Sequence, residues 1–304
     1  MGATAHAAEP GFAPGDHLIA IPWQGRDRSA VLHVPSVGRR PMPLAVVLHG
    51  GGGTALHARE ATRFSEKADQ TGFAVVYPNA TRPDESRPAR FLRNPPMWAD
   101  GAGRGHTRAA AVDDVGFIGA LVDHLCLARL ADPRRAYITG FSNGAAMALR
   151  AAVERPGRFA AAAAVAGTLW IEPATPPIPA TPLLYITGDR DPLNPVEGGE
   201  YRSHWGALER KPPLAELLSR WASWFAAPPP RISRDERGIV TWRYRDAGGS
   251  DVVVASIIEN CGHVWPGGRP VLSERLSGPP YAAFDATAAI WRFFEQRALA
   301  PRET

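Results

Sequence analysis

The stretch Tyr137 to Met147, YITGFSNGAAM, constrains this chain more than any other. A β-prone Tyr-Ile-Thr runs straight into Gly-Phe-Ser-Asn-Gly, and small helix formers follow. Gly140 and Gly144 lack the Cβ atoms that would collide where a strand turns sharply into a helix, and Ala145, Ala146 and Ala148 let that helix lie close to a sheet. A turn of this kind lifts the Ser142 hydroxyl clear of the strand end and aims the helix N-terminus at it. The competing reading is an ordinary loop serine between two glycines.

The rest of the chain supplies the setting. Leu44 to Leu48 is a continuous apolar run ending in His49 and four glycines, Gly50 to Gly53, as expected for a fully buried parallel strand followed by a turn. Phe73 to Tyr77 is the next such run. From Val112 to Leu130 apolar residues recur on one helical face, with Asp113 and Asp114 in the first turn, where they complement the helix dipole. A strand over Ala136 to Thr139 and a helix over Asn143 to Glu154 come next. Strands are expected at Phe159 to Ala166 and Leu183 to Thr187, then a helix from Pro213 to Ala226. Strands at Thr241 to Arg245 and Val252 to Ile258 precede a closing helix with Phe284, Thr287, Trp291 and Phe294 on one face. This alternation predicts an α/β fold with a mostly parallel central sheet covered by helices on both faces. The opening pair, Leu18 to Trp23 and Ala30 to Val34, is expected as an antiparallel edge. Residues 1–14 are expected to be a disordered tail or a signal remnant, and 15–300 a single catalytic domain.

A serine hydroxyl needs a histidine base and a carboxylate that orients it. On a sheet of this kind the acid and then the histidine follow the serine in the chain. Two histidines lie downstream, His204 and His263. His263 is favoured because its loop, CGHVWPGG, follows the apolar strand ending at Ile258, whereas His204 sits in the polar stretch YRSHWGALERK. For the acid, Asp189 and Asp191 both stand after the strand Leu183 to Thr187. Asp191 is favoured because a few residues of turn are needed to reach the imidazole; Asp189 is the alternative, with a turn-forming role as its plainer reading. Acyl transfer also needs donors for the developing oxyanion. The Asn143 amide is one, and the glycine tetrad offers the other, Gly51 first and Gly52 second. The tetrad lacks the Lys and Ser/Thr of a phosphate-binding loop.

Composition excludes other classes. The net charge of +4 comes from arginines scattered among acidic residues, not from the concentrated basic face that nucleic-acid binding needs. No window is apolar for long enough to span a bilayer. Neither a cofactor motif nor a cluster with metal-ligand spacing is found. The two cysteines, Cys126 and Cys261, fall at opposite ends of the expected sheet and are expected to be free thiols. Ala5-His6-Ala7 has the form that precedes a signal cleavage site, although MGATAHAAEPG has neither a basic nor an apolar region.

The segments LHGGGG (Leu48 to Gly53), VDDVGFI (Val112 to Ile118), GFSNG, GDRDP and CGHVWPGG together resemble the α/β-hydrolase esterases of the poly(3-hydroxybutyrate) depolymerase and feruloyl esterase type. The resemblance implies the α/β-hydrolase fold and a serine carboxylic-ester hydrolase without a cofactor, working through an acyl-enzyme. It also implies a secreted or periplasmic location, with a cytoplasmic one as the alternative. The family commonly has a second glycine where this chain has Ala145, and its polymer-degrading members add a linker and a binding domain that this sequence does not contain. Short-chain, aryl (feruloyl or acetyl) or hydroxyalkanoate-type esters, small or oligomeric, are therefore the expected substrates. The alternatives are a polyhydroxybutyrate depolymerase proper, a serine peptidase, and a non-catalytic hydrolase-like binding protein. Trp265 and Trp98 are the first candidates for substrate contact, with Trp170 and Trp205 behind them; Trp221, Trp224 and Trp291 are read as core.

Overall fold

In the computed structural model, which describes residues 11–108, 111–203, 205–206, 208–270 and 272–301, the apolar runs become strands of one ten-stranded sheet. In chain order these are β1 (Gly15–Trp23), β2 (Arg26–Val34), β3 (Met42–Leu48), β4 (Ala74–Pro78), β5 (Ala131–Phe141), β6 (Ala161–Val165) and β7 (Leu183–Gly188). A separate hairpin, β8 (Gly199–Arg202) and β9 (Leu208–Lys211), precedes β10 (Arg231–Arg234), β11 (Ile239–Arg245) and β12 (Asp251–Ile258). The helices are α1 (Ala55–Thr62), α2 (Phe64–Thr71), α3 (Asp114–Leu127), α4 (Asn143–Glu154), α5 (Leu214–Ser223), α6 (Glu274–Ser277) and α7 (Ala286–Glu295). The predicted tail at 1–14 lies mostly outside the described residues.

The spatial order is β1-β2-β4-β3-β5-β6-β7-β12-β11-β10. Strands β4, β3, β5, β6, β7 and β12 run parallel. β1 and β2 form the expected antiparallel edge, and β11 and β10 form a second one at the far side. Alternation along β3 shows why the central strands read as unbroken apolar runs. Leu44, Val46 and Leu48 pack into the layer that holds α3, α4 and α5, while Ala45 and Val47 pack into the layer of α1, α2 and α7. Both faces of the strand are dry, so no polar position is left to mark a period of two.

Local chemistry sets the helix starts. Asp113 accepts the Gly116 N–H at 2.7 Å, so α3 begins at Asp114 and not at Val112. Asp285 caps α7 through the Ala288 N–H, which leaves Phe284 just outside the helix. Cys126 and Cys261 form no disulfide among the described residues. Because the parallel strands share one direction, the loops after β3, β5, β7 and β12 all open at the same edge of the sheet, where such folds gather their functional groups.

Candidate active site

Ser142 sits between β5 and α4 with φ 55° and ψ −119°, a strained backbone for a residue with a side chain. Its N–H donates to the Val165 carbonyl at 2.9 Å, and its carbonyl accepts the Ala146 N–H at 3.0 Å, which clamps the turn on both sides. The flanking glycines are sterically required. A Cβ on Gly140 would lie 2.5 Å from the Gly144 backbone, and one on Gly144 would lie 2.3 Å from the His49 carbonyl oxygen. The helix therefore starts in contact with the end of β3.

The loops after β7 and β12 bring Asp191 and His263 together. Asp191 Oδ2 lies 2.8 Å from His263 Nδ1, with both side chains buried. Asp191 Oδ1 accepts the N–H groups of Leu193 at 2.8 Å and Asn194 at 2.7 Å, so the carboxylate has a fixed orientation. Asp189 is exposed and turned away; it accepts the Asn260 N–H at 2.7 Å and closes the turn between the two loops. His204 lies outside the described residues. Phe141, next to Ser142, packs against the His263 ring with centroids 4.7 Å apart.

The glycine tetrad is divided in its duties. Gly52 donates its N–H to the Pro96 carbonyl at 2.7 Å, and Gly53 donates to Gly50 at 3.0 Å. Gly52 was an expected oxyanion donor, and this bond removes it from that role. Gly51 packs under Met97 and Trp205, where an added Cβ would meet the Met97 sulfur at 2.9 Å. His49 holds the loop from behind. Its Nε2 accepts the Ala80 N–H at 3.1 Å, which leaves the ring proton on Nδ1 to be donated to the Gly50 carbonyl at 2.7 Å. Burial pushes this ring down to about 4, so it is neutral across the physiological range.

Asn143 uses its side chain as a backbone mimic. The amide oxygen accepts the Trp98 N–H at 2.8 Å, and the amide nitrogen donates to the Trp98 carbonyl at 3.1 Å and to Asp100 at 2.8 Å. Asp114 ties down the same segment by accepting the Ala99 N–H at 2.7 Å, while pairing with Arg28 at 2.6 Å in the interior. Its role exceeds the helix-start electrostatics expected of it. Trp98, expected at the substrate, is instead only 1% exposed and donates its indole N–H to the His49 carbonyl at 2.9 Å. It belongs to the scaffold because the Asn143 clamp draws it inward. Trp265 is also largely buried, bonded to Thr287, but it reaches the wall of a cavity.

Two cavities meet at His263. A small one of about 70 Å³ is lined by Ser142, Asn143, Ala146, Trp170, Trp205, Arg104 and Lys211. A larger one of about 460 Å³ lies on the other side, walled by Ala58, Ala61, Phe141, Val264, Trp265 and Leu272. Gly50, Gly51, Phe91, Phe141, His263 and Leu272 border both. The β8–β9 hairpin, whose sequence reads as a polar stretch, delivers Tyr201, Trp205 and Lys211 to the small cavity.

Lys211 and Arg104 were not foreseen. The Lys211 ammonium donates to the Leu193 carbonyl at 2.7 Å and to Asn194 Oδ1 at 2.8 Å, and lies over the Tyr201 ring at 4.7 Å. Burial is the main influence on it and lowers its pKa to about 8, against the pull of Asp191. Arg104 pairs with Asp100 and with Glu209, the latter at 3.4 Å, and stands over the Trp170 ring at 5.3 Å. Glu209 also accepts a hydrogen bond from the Tyr201 hydroxyl.

The strand order, the helices on both faces and the strained strand-to-helix turn at Ser142 define an α/β-hydrolase. Residues 29–203, more than half of the chain, match the model of the Esterase PHB depolymerase family, and the chain belongs to that family. It is 34% identical over 263 residues to the candidate esterase NocK of Nocardia uniformis subsp. tsuyamanensis, covering 80% of this chain and 72% of NocK. It is 32% identical over 135 residues to feruloyl esterase B of Neurospora crassa, covering 44% of this chain and 42% of that protein. Poly(3-hydroxyalkanoate) depolymerase C of Paucimonas lemoignei is 34% identical over 135 residues, covering 44% of this chain and 30% of the depolymerase. Among solved structures, the acetyl xylan esterase of Aspergillus awamori shares the fold with a TM-score of 0.55 at 16% identity, over 78% of this chain and 89% of that one. The chain is thus a carboxylic-ester hydrolase of the serine-hydrolase type. Among the described residues no helix is long and apolar enough to cross a membrane.

Proposed function

We propose that Ser142, His263 and Asp191 form a catalytic triad that cleaves soluble esters with short or aromatic acyl groups through an acyl-enzyme. The observation that carries this reading is the buried Asp191–His263 pair at 2.8 Å, opening on a cavity whose wall includes Ser142. With Nδ1 donating its proton to Asp191, His263 presents an unprotonated Nε2, the form a general base needs. It takes the Ser142 proton as Oγ attacks the ester carbonyl. The oxyanion that forms is held by the Asn143 amide, free at the first turn of α4, and by the Gly51 amide. The imidazolium then protonates the departing alcohol, and water repeats the cycle on the acyl-serine.

The two cavities divide the substrate. The acyl part takes the small cavity, because Ser142 lines it. The alcohol takes the larger one, because His263 borders both and must reach the leaving oxygen. A compact acyl site favours acetyl or short hydroxyacid groups over long chains, in keeping with a relative named as a polyhydroxyalkanoate depolymerase; the relative named as a feruloyl esterase supports the aromatic acyl group.

The test has two parts. A fluorophosphonate probe should label Ser142 in the native protein and not in Ser142→Ala. A panel of acetyl, feruloyl, hydroxybutyrate and long-chain esters should then give the highest kcat/KM on the compact acyl groups. Efficient clearing of a polyhydroxybutyrate suspension with weak action on soluble esters would overturn the substrate assignment in favour of a depolymerase, and labelling at another residue would overturn the triad.

A further inference from the structure

Arg104, Lys211 and His263 are the ionisable side chains on the wall of the small cavity apart from the phenol of Tyr201; no carboxylate among the described residues lines it. The two cations differ in how they are satisfied. Arg104 is paired with Asp100 and Glu209, which stand behind the wall. Lys211, 8% exposed, spends two ammonium protons on neutral oxygens, the Leu193 carbonyl and Asn194 Oδ1. No carboxylate among the described residues pairs with it directly. A buried ammonium without a counter-ion is costly, and proteins keep one where something else supplies the charge. Arg104 adds a buried Nε–H with no acceptor among the described residues. The indole of Trp170 lies between them, 5.3 Å from the Arg104 guanidinium and 5.8 Å from the Lys211 ammonium, so both charges lean on one aromatic wall of the cavity.

We infer that Lys211 and Arg104 form an acyl-end subsite that recognises a carboxylate, so that the preferred substrates are esters whose acyl group carries an acid at its far end. The inference rests on the triad reading above, which puts the acyl group in this cavity. The chemical class is the half-ester of a short dicarboxylic acid. The carboxylate accepts the third Lys211 proton and the Arg104 Nε–H, and its charge replaces the missing counter-ion. An uncharged acyl chain of the same shape leaves both donors buried and unsatisfied, which is the situation in which a site discriminates most strongly.

The experiment compares monoethyl succinate with ethyl 4-methylpentanoate, which has a dimethyl terminus of the same shape in place of the carboxylate, by pH-stat titration of the purified protein. The readout is the ratio of kcat/KM values, which a general loss of activity leaves unchanged. At pH 7 the ratio should favour the half-ester by roughly tenfold or more, the order of one charge-assisted hydrogen bond. In Lys211→Met it should fall to about one or below. The wild-type ratio should also fall as pH rises past about 8, where the free enzyme loses the Lys211 charge. The other groups that face this ammonium are the charged side chains of Asp191, Arg104, Glu209 and Asp100 and the phenol of Tyr201, whose pKa burial raises. This second readout needs no substitution and stands even if the variant does not fold. A wild-type ratio near one with both esters hydrolysed would overturn the subsite and leave the triad intact, as would an unchanged ratio in Lys211→Met. No turnover of either ester, with Ser142 unlabelled, would overturn the triad and the subsite with it.

Discussion

The Asp191 carboxylate reaches His263 Nδ1 at 2.8 Å while its other oxygen is held by two backbone N–H groups of its own loop. One oxygen is anchored so that the other can aim. Asp191→Asn is expected to lower kcat by about four orders of magnitude, because an amide in this position leaves the imidazole in the wrong tautomer. Asp189→Asn should cost far less, since Asp189 only closes a surface turn on Asn260. Comparing the two turnover numbers on one ester decides the matter, and similar losses in both would refute the assignment of the acid.

Ser142 carries a positive φ that a glycine adopts without penalty. Ser142→Ala and Ser142→Gly should both be inactive, but the glycine variant should be the more stable by about 1 kcal/mol, the lower end of the cost of a strained residue after allowing for glycine's greater unfolded freedom. Denaturant unfolding of the two variants measures this. A glycine variant less stable than the alanine variant would mean the turn stores no strain.

The glycines are not alike. Gly144→Ala would drive a Cβ to 2.3 Å from the His49 carbonyl oxygen, and α4 would have to move off the end of β3. Gly119, inside α3, has nothing within 4 Å of an added Cβ. Gly144→Ala should therefore destabilise by about 3 kcal/mol or more, beyond ordinary overpacking, whereas Gly119→Ala should be neutral or stabilising by up to about 1 kcal/mol. Thermal melts of both variants test the contrast.

His49 is buried neutral, with its pKa depressed from 6.5 to about 4. Between those two values the unfolded chain binds a proton that the folded one does not, so the stability this residue confers is complete above pH 6.5 and drains away as the pH falls to about 4. The depression corresponds to about 3 kcal/mol. The stability advantage of wild type over His49→Gln should shrink by that order between pH 7 and pH 4, as measured by urea unfolding at each pH. A difference that stays constant with pH would show that the ring is not held neutral.

The sequence made the parallel strands legible because β4, β6 and β7, nearly all of β3 and β12, and β5 from Ala136 to Gly140, are dry on both faces and read as largely apolar runs. Helices α1 and α2 were not foreseen. Their buried residues, apart from Phe64, are alanines, serine and threonine, and such a face shows little periodicity against Leu or Val. At the site, the loops carrying Ser142, Asp191 and His263 could be located because each follows a strand. The roles of Trp98 and Lys211 could not. Each depends on a partner far away in the chain, Asn143 and His49 for the tryptophan, Leu193 and Asn194 for the lysine. Composition could single out the indole, but only the fold decides whether it faces substrate or scaffold. Gly52 is the same lesson at the level of one amide, since its N–H was already committed to Pro96.

The sheet ends, at its far edge, on β10, four residues of which every one is exposed and two, Arg231 and Arg234, are charged. A strand left open on one side offers unsatisfied backbone groups to any neighbouring chain. Here the invitation is poor. A second copy docking along Arg-Ile-Ser-Arg would gain only a few main-chain bonds and would have to crowd guanidinium against guanidinium, with Arg243 already across the ladder from Arg231. The short, arginine-bearing strand thus guards this edge of the sheet against pairing with a second copy.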